Sequence, residues 1–472
     1  MRQYWLILPV ALVGSVVAAP VENHHKVEEA AIAELPTVLV TAQALTEPNA
    51  VEVDLKVPRQ PLPAHDGADY LKTIPGFSVT RKGGADGDPV FRGVAGSRLN
   101  ILVDGQTILG GCNARMDAPT AYIHPELYDK LTIIKGPQTV RYGGGSTAAT
   151  IMFERHQTAF EKGGAEVYGS ATVASFNRRD EVLDARIGSS LGYVQLNGSD
   201  ARSDDYKDGN GNAVHSAYER YNAGVALGLT PDKNTHIELS GLFSDGEASY
   251  ADRGMDGTKY RREGGALKLG RKWDEGVVRN VHAEIYQATV DHVMDDQTRR
   301  TPGMMGYSGL GRETAGARIN SDMVIAGDTL TLGVDAQKNT HDSRSAPPSG
   351  VYTALKDDAG FQQYGIFSEI SHPLDDASRF VAGYRADHWQ AKDERATIRS
   401  AMGGTFPNPT AGQEREEWLN SGFFRLEKNL TQQPITVYAG FGYTERFPDY
   451  WEMIAKESMT SRSAFDTNVE KN

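Results

Sequence analysis

The chain has a single cysteine, Cys112, among its 472 residues. One cysteine cannot form an internal disulfide, so a disulfide-stapled scaffold is excluded. Long apolar runs are missing too: past the N-terminus, no stretch approaches the roughly 18 apolar residues that a membrane-spanning helix needs. Basic residues number 49 against 62 acidic ones, and the net charge of −13 argues against nucleic acid as a partner. A mean hydropathy of −0.46 does not exclude a β-barrel in a membrane, because apolar and polar residues alternate along barrel strands and cancel in the mean.

The N-terminal segment predicts export followed by a mobile tail. Residues 1–19 combine Arg2, an apolar stretch and small residues, as a secretory signal peptide does. Residues 20–59 are rich in charge, proline and alanine and show little packing pattern, which predicts a tail. Within this tail, the β-prone residues are Thr37, Val38, Leu39, Val40 and Thr41, inside the segment 36–42. Such an island on a flexible tether is suited to capture as an added strand by a partner.

Residues 60–163 predict a compact domain of short strands and tight turns. Short apolar runs separated by glycines dominate it. The recognisable motifs, in chain order, are Ile74-Pro75-Gly76, Phe91-Arg92-Gly93, Val103-Asp104-Gly105, Lys135-Gly136-Pro137 and Tyr142-Gly143. The single cysteine lies at the centre of this domain, in a glycine-rich loop.

Residues 164–472 predict the strands of a transmembrane barrel. Apolar and polar residues alternate with period two, and short turns alternate with long polar loops. A soluble sandwich is the alternative, but it does not sort its loops by length in this way. The pattern gives about thirteen strands. The seventh, from about Val277 to Met294, is expected to end on the long-loop side.

Two pairs of side chains could bind a soft metal ion. Cys112 and Met116 share one face if their loop makes a helical turn, and His292 and Met294 share one face of the seventh strand. Val281, Ala283 and Ile285 have the parity expected to face lipid, and the other parity, with Glu284, His292 and Met294, is expected to face inward unless a bulge intervenes. A thiolate, two thioethers and an imidazole favour copper, especially Cu(I), over zinc and hard cations. A buried structural cysteine and ordinary loop packing of the methionines are the alternatives.

Together these motifs resemble the TonB-dependent outer-membrane receptors of Gram-negative bacteria. Segment 36–42 is similar to their TonB box, and the glycine-rich motifs are similar to their plug domain, although Ala148–Phe153 is less glycine-rich than usual. The resemblance implies an all-β fold, with a barrel of about 22 strands closed around the plug, and active import powered by TonB and its inner-membrane complex. The pair Cys-x-x-x-Met and His-x-Met resembles the copper receptors of the OprC/NosA type. That likeness implies a copper site at Cys112, Met116, His292 and Met294.

The leading hypothesis is therefore TonB-dependent import of copper, as the bare ion or a complex, by a monomer in the lipid of the outer membrane. The alternatives are a receptor for siderophores or metal chelates, and a surface protein that holds copper without transporting it. No catalytic set stands out, so an enzyme is not expected. Met304 and Met305 could capture copper first or simply pack in their loop, and Asp295 and Asp296 are expected to be solvated. Because about thirteen strands cannot close the family's barrel, we also expect a fragment that lacks the last strands.

Overall fold

The structure is a computed structural model that describes residues 49–83, 86–145, 147–157, 160–399, 404–430, 435–454 and 463–472. The predicted signal peptide and the predicted TonB box, Thr37–Thr41, lie outside these residues, and both stay predictions. Among the described residues, no helix is long and apolar enough to cross a membrane.

The N-terminal domain, which we call the plug, contains two small sheets. Its strands are β1 (Ala50–Asp54), β2 (Phe77–Lys82), β3 (Asp86–Phe91), β4 (Val94–Ala95), β5 (Leu99–Val103), β6 (Gln106–Thr107), β7 (Lys130–Lys135) and β8 (Ala149–Glu154). Its helix is α1 (Gly67–Leu71), and its 3₁₀ turns are Gly96–Arg98, Pro119–Tyr122 and Pro125–Leu127. The sheets have the orders β1-β7-β8-β5-β6 and β2-β3-β4. Residues 50–54, which the composition assigns to the tail, therefore belong to the plug sheet, because β1 pairs with β7.

The rest of the chain forms a 14-stranded antiparallel sheet whose strand order follows the chain from β9 to β26. Its strands, with two short loop hairpins, are β9 (Gly164–Ala174), β10 (Arg178–Ser189), β11 (Gly192–Ser203), β12 (Tyr206–Lys207), β13 (Ala213–Val214), β14 (Tyr218–Asp232), β15 (Thr235–Ala248), β16 (Asp256–Lys272), β17 (Val278–Asp295), β18 (Tyr307–Ile325), β19 (Asp328–Ala346), β20 (Lys356–Pro373), β21 (Ser378–Asp393), β22 (Thr397–Arg399), β23 (Thr405–Pro407), β24 (Glu414–Leu430), β25 (Ile435–Arg446) and β26 (Glu470–Lys471). A second short helix, α2 (Tyr450–Met453), lies between the last two. Apart from the two-residue β26, the sheet has thirteen long strands, as the sequence predicts.

The two faces of this sheet have the polarity of a membrane barrel. Large apolar side chains cover the outer face, including Ile187, Ile285 and Phe441, which are 64%, 56% and 70% exposed. Charged side chains fill the inner face, where Arg385 and Arg425 are at most 1% exposed. A soluble sandwich would bury the apolar face instead, so this alternative is wrong.

The plug lies inside the curved sheet and contacts its inner face along most of its width. Charged and polar pairs join it to strands far apart in the sheet: Lys56 with Asp184 of β10, the carbonyl of Ala121 with Arg220 of β14, Thr139 with Glu369 of β20, and Gln138 with Arg425 of β24. The described strands therefore form a barrel wall whose inner face contacts the plug.

Strand β17 keeps its residue parity from its middle to its end. It pairs with β18 without a shift from Asn280 to Asp295. Its pairing with β16 shifts only between Gly257 and Lys259, so the extra residue belongs to β16. Because β17 has no bulge beyond Asn280, His292 and Met294 point to the same face as Glu284. That face is the inner one, since Glu284 is buried and Ile285 is exposed.

Candidate metal centre

The loop that carries Cys112 is a tight turn and not the helical turn that its spacing suggests. The N–H of Arg115 donates to the carbonyl of Cys112 at 2.9 Å. Arg115 itself has a positive φ of 52°, which ends any helical continuation. Cys112 and Met116 are nevertheless both buried, at 0% and 4% exposure. Their common orientation comes from the folded turn rather than from helical periodicity.

The carboxylate of Asp117 closes this loop. Its Oδ2 accepts from the N–H of Gly111 at 2.7 Å and from the Tyr122 hydroxyl at 2.7 Å, and its Oδ1 accepts from the N–H of Cys112 at 2.8 Å. Gly110 allows the closure, because a Cβ there would lie 2.1 Å from the carbonyl oxygen of Asp117. Asp117 is fully buried and places a negative charge beside the sulfur. No pattern in the sequence singled out this residue.

The loop meets the outer half of β17, and the two sulfur-containing pairs come together there. Cys112 Sγ lies 3.7 Å from Met294 Sδ, although the residues are 182 positions apart. Cys112, Met116 and Met294 belong to one buried cluster, and Met294 is 6% exposed. Two sulfur atoms in contact and shielded from water can hold one soft ion.

His292 presents one free ring nitrogen. Its Nδ1 lies 3.0 Å from the carbonyl oxygen of Lys259, and since a carbonyl only accepts, Nδ1 must carry the proton. The lone pair is then on Nε2, which is buried and has no hydrogen-bond partner among the described residues. A second group that fixes the tautomer in this way is typical of metal-binding histidines. The fully buried imidazole therefore fits a metal ligand better than an ordinary core histidine, which would use both nitrogens.

Met116 is connected to His292 through Tyr260. The hydroxyls of Tyr250 and Tyr260 donate to the carbonyl of Met116 at 3.3 and 3.4 Å. The ring of Tyr260 packs on the His292 imidazole with 4.4 Å between centroids. All four residues singled out from the sequence thus border one buried region. Among the described residues, no cluster of three or more His, Cys, Asp or Glu side chains could hold a metal ion, so this candidate depends on the two thioethers.

The Cys112 sulfur is a protonated thiol in the absence of metal. Burial and then the charge of Asp117 raise the pKa of the Cys112 thiol to about 12, and the N–H groups of Met116 and Ala114 offset only part of this. A thiolate ligand at Cys112 would therefore have to form as an ion binds, with release of one proton.

Copper affinity should therefore increase with pH by about tenfold per unit between pH 6 and 8, because one thiol proton is displaced throughout this range. Competition titrations against a calibrated Cu(I) chelator at pH 6, 7 and 8 measure the slope. A flat profile would contradict ligation by the thiol. Cys112→Ala is the control variant and should lose the slope together with the affinity.

The loop after β17 has neither packed methionines nor solvated aspartates, whereas copper capture by Met304 and Met305 stays a prediction. Met304 and Met305 are 94% and 61% exposed, so they are not packed in the loop. Asp295 and Asp296 are only 2% and 3% exposed rather than solvated. Asp296 accepts from the backbone N–H groups of Met305 and Gly306 at 2.8 Å each, and so fixes the loop.

A barrel wall with a charged inner face, filled by a separate N-terminal domain, defines a plugged outer-membrane receptor. The comparisons agree with this class. The TonB-dependent receptor plug domain matches residues 45–150, and the TonB-dependent receptor-like β-barrel matches residues 197–469, which is more than half of the chain. The chain belongs to the TonB-dependent receptors, which are outer-membrane proteins of Gram-negative bacteria.

Individual relatives differ in what their names say they bind. The structure of the copper transporter OprC is 43% identical with a TM-score of 0.85, over 90% of this chain and 67% of that one. The hemin receptor of Yersinia enterocolitica is 23% identical over 86% of this chain and 64% of its own length. The ferrienterobactin receptor of Escherichia coli K12 is 24% identical over 28% of this chain and 19% of its own length. The chain spans less than two thirds of the length of these two curated relatives.

Proposed function

We propose that this protein imports copper across the outer membrane in a TonB-dependent manner and binds it as Cu(I) through Cys112, Met116, His292 and Met294. The observation that carries the proposal is the contact of Cys112 Sγ with Met294 Sδ at 3.7 Å. His292 also presents a buried Nε2 that has no hydrogen-bond partner in the described part of the chain. A thiolate, two thioethers and an imidazole match the ligand preference of Cu(I).

The charge of the site supports a cation. A bound Cu(I) would balance the thiolate, and the nearby carboxylate of Asp117 would attract the ion further. The likeness to the copper transporter OprC supports the same cargo. Import by TonB follows from the family and from the predicted box at Thr37–Thr41.

A receptor for hemin or a siderophore is the second candidate, because the hemin and ferrienterobactin receptors are also similar in sequence. Metal analysis of the purified protein separates the two. We expect about one copper per chain after exposure to Cu(I), and no retention of hemin or of an iron chelate. Retention of hemin with no copper would overturn the copper proposal in favour of this second candidate.

The thioethers should contribute less than the thiol. Met116→Leu and Met294→Leu preserve size and apolar character but remove a neutral ligand, so each should weaken copper binding about tenfold, or ~1.4 kcal/mol. Competition titration measures the loss. Met152→Leu is the matched control, since Met152 is also 4% exposed within the plug but lies in a different buried cluster. If Met116→Leu and Met294→Leu bind copper as tightly as Met152→Leu does, the thioethers are not copper ligands.

A further inference from the structure

The segment that follows β25 returns to the plug and lies against the Cys112 loop. This segment, residues 447–454, contains α2 (Tyr450–Met453), whose N-terminus is closed by a capping box of Asp449 and Glu452. Tyr450 and Met453 are 2% and 0% exposed. The segment begins at the long-loop end of β25 and contacts the loop that carries Cys112.

Three consecutive backbone carbonyls of the Cys112 loop are bound by side chains from outside the plug. The pairs are Gly110 O with Arg312 Nη1 at 3.4 Å, Gly111 O with His341 Nε2 at 2.6 Å, and Cys112 O with Trp451 Nε1 at 2.7 Å. The donors come from β18, β19 and α2, up to 339 residues away in sequence. Three separate elements thus hold one short stretch of plug backbone.

His341 and α2 are braced against each other. The His341 ring stacks on the Tyr450 ring with 3.7 Å between centroids. One carboxylate serves both: Asp358 Oδ1 lies 2.6 Å from His341 Nδ1, and its Oδ2 accepts from the Tyr450 hydroxyl at 3.2 Å. If α2 moves away, the carbonyl of Cys112 loses the Trp451 donor, and His341, which holds the carbonyl of Gly111, loses its stacking partner.

The segment is also anchored to the plug by charge. The guanidinium of Arg115 lies 4.4 Å from the centre of the Trp451 ring. Glu452 is paired with Arg98 of the plug at 3.4 Å. These contacts hold the segment beside the loop, so that the Trp451 indole N–H donates to the carbonyl of Cys112.

We propose that Trp451 and His341 form a latch, in which closure of segment 447–454 fixes the backbone of Cys112 and so holds its sulfur against Met294. They are positioning residues, because their contacts are with the backbone of the Cys112 loop. Opening of the segment releases the loop and exposes the sulfur. The part of this inference that concerns copper rests on the proposed function, whereas the part that concerns the loop does not.

Cys112 is the sole cysteine of the 472-residue chain. The rate at which iodoacetamide alkylates it in the metal-free protein therefore measures opening of the latch directly. Trp451→Phe keeps the ring and removes the indole donor. We expect it to accelerate alkylation about five- to tenfold, the effect of losing one buried hydrogen bond on a local opening equilibrium. An unchanged rate overturns the proposal, whether or not the protein binds copper.

Trp389→Phe is the matched control. Trp389 also lies near this segment, stacked on Phe447 with 5.6 Å between centroids. Its indole nitrogen is buried and has no hydrogen-bond partner in the described part of the chain. The substitution should therefore leave alkylation at the wild-type rate. Equal acceleration in both tryptophan variants would indicate general loosening of the barrel and would overturn the latch.

A second pair of variants keeps the test valid if Trp451→Phe does not fold. His341→Phe preserves the stacking on Tyr450 but removes the donor to Gly111, and it should also accelerate alkylation. His341→Gln restores a side-chain N–H and should return the rate toward that of wild type. Failure of this rescue, with both variants folded, contradicts positioning through the carbonyl.

Copper dissociation supplies the readout that a purely structural role would not move. If one opening event exposes both the thiol and the ion, Trp451→Phe should raise the Cu(I) dissociation rate by the same factor as the alkylation rate. A faster alkylation with unchanged dissociation would overturn the coupling. Failure of the wild-type protein to bind copper would reject the proposed function, and the alkylation rates of the metal-free variants would still decide whether the latch holds the loop.

Discussion

Cys112→Ser should abolish tight copper binding while the protein keeps its fold. Serine is close in size to cysteine, but its hydroxyl is a hard, neutral oxygen that does not ionise at neutral pH, so the ion loses its only anionic ligand. We expect affinity for Cu(I) to fall by at least about a thousandfold, or ~4 kcal/mol. Competition titration and metal analysis of the purified protein measure this.

Cys112→Ser should lower the free energy of unfolding by less than it weakens the free energy of copper binding. Cys112 is fully buried, and its sulfur contacts Met294. A hydroxyl there would lack a good acceptor, at a cost of about 1–3 kcal/mol. Cys112→Ala avoids this cost and should lose copper equally. Met304→Leu, in an exposed loop, is the control and should bind as wild type. Should the serine variant retain wild-type affinity, the site is elsewhere, and the loop with Met304 and Met305 is the next to test.

Deletion of Thr37–Thr41 should eliminate energised copper uptake without changing copper binding. The predicted box is separated from β1 (Ala50–Asp54) by residues 42–49, a tether of at most about 28 Å when extended. Strand β1 pairs with β7 along its whole length. A pull on the captured box would therefore be transmitted to the edge of the plug sheet, where the antiparallel pairing of β1 with β7 can be unzipped from one end.

Uptake of copper by cells that express the deletion variant tests this mechanism, and binding is measured on the purified protein. The matched control deletes residues 26–30, which shortens the tail equally and spares the box. Copper accumulation at the wild-type rate in cells that express the box deletion would contradict active import. It would favour a surface protein that holds copper without transporting it.

Much of the fold could be predicted from the sequence because its signals are local. Alternation with period two identifies barrel strands, and parity along the seventh strand predicts that His292 and Met294 face inward. That inference depends on the absence of a bulge, which the unshifted pairing of β17 with β18 beyond Asn280 provides. The plug boundary was less accurate, because five residues of β1 are too few to stand out from a tail until β7 pairs with them.

The candidate site was predictable only as a set of residue types. Cys112, Met116, His292 and Met294 could be named because soft ligands are rare and two short spacings bring them into pairs. The conformation of the Cys112 loop could not, since a spacing of four fits a helix as well as a turn. Asp117 and the positive φ of Arg115 decide for the turn.

The sequence alone determined the features that depend on neighbouring residues: the alternation of the barrel strands, the plug motifs and the residue types that could bind a metal ion. The tertiary structure decided which distant groups meet. The contact of Cys112 with Met294, the tautomer of His292 set by Lys259, and the hold of Trp451 on the Cys112 carbonyl all join residues far apart in the chain. The physical reason is that periodicity depends on residues that are neighbours in sequence. Contacts between the plug and the barrel strands exist only once the two have packed together and excluded water from the space between them.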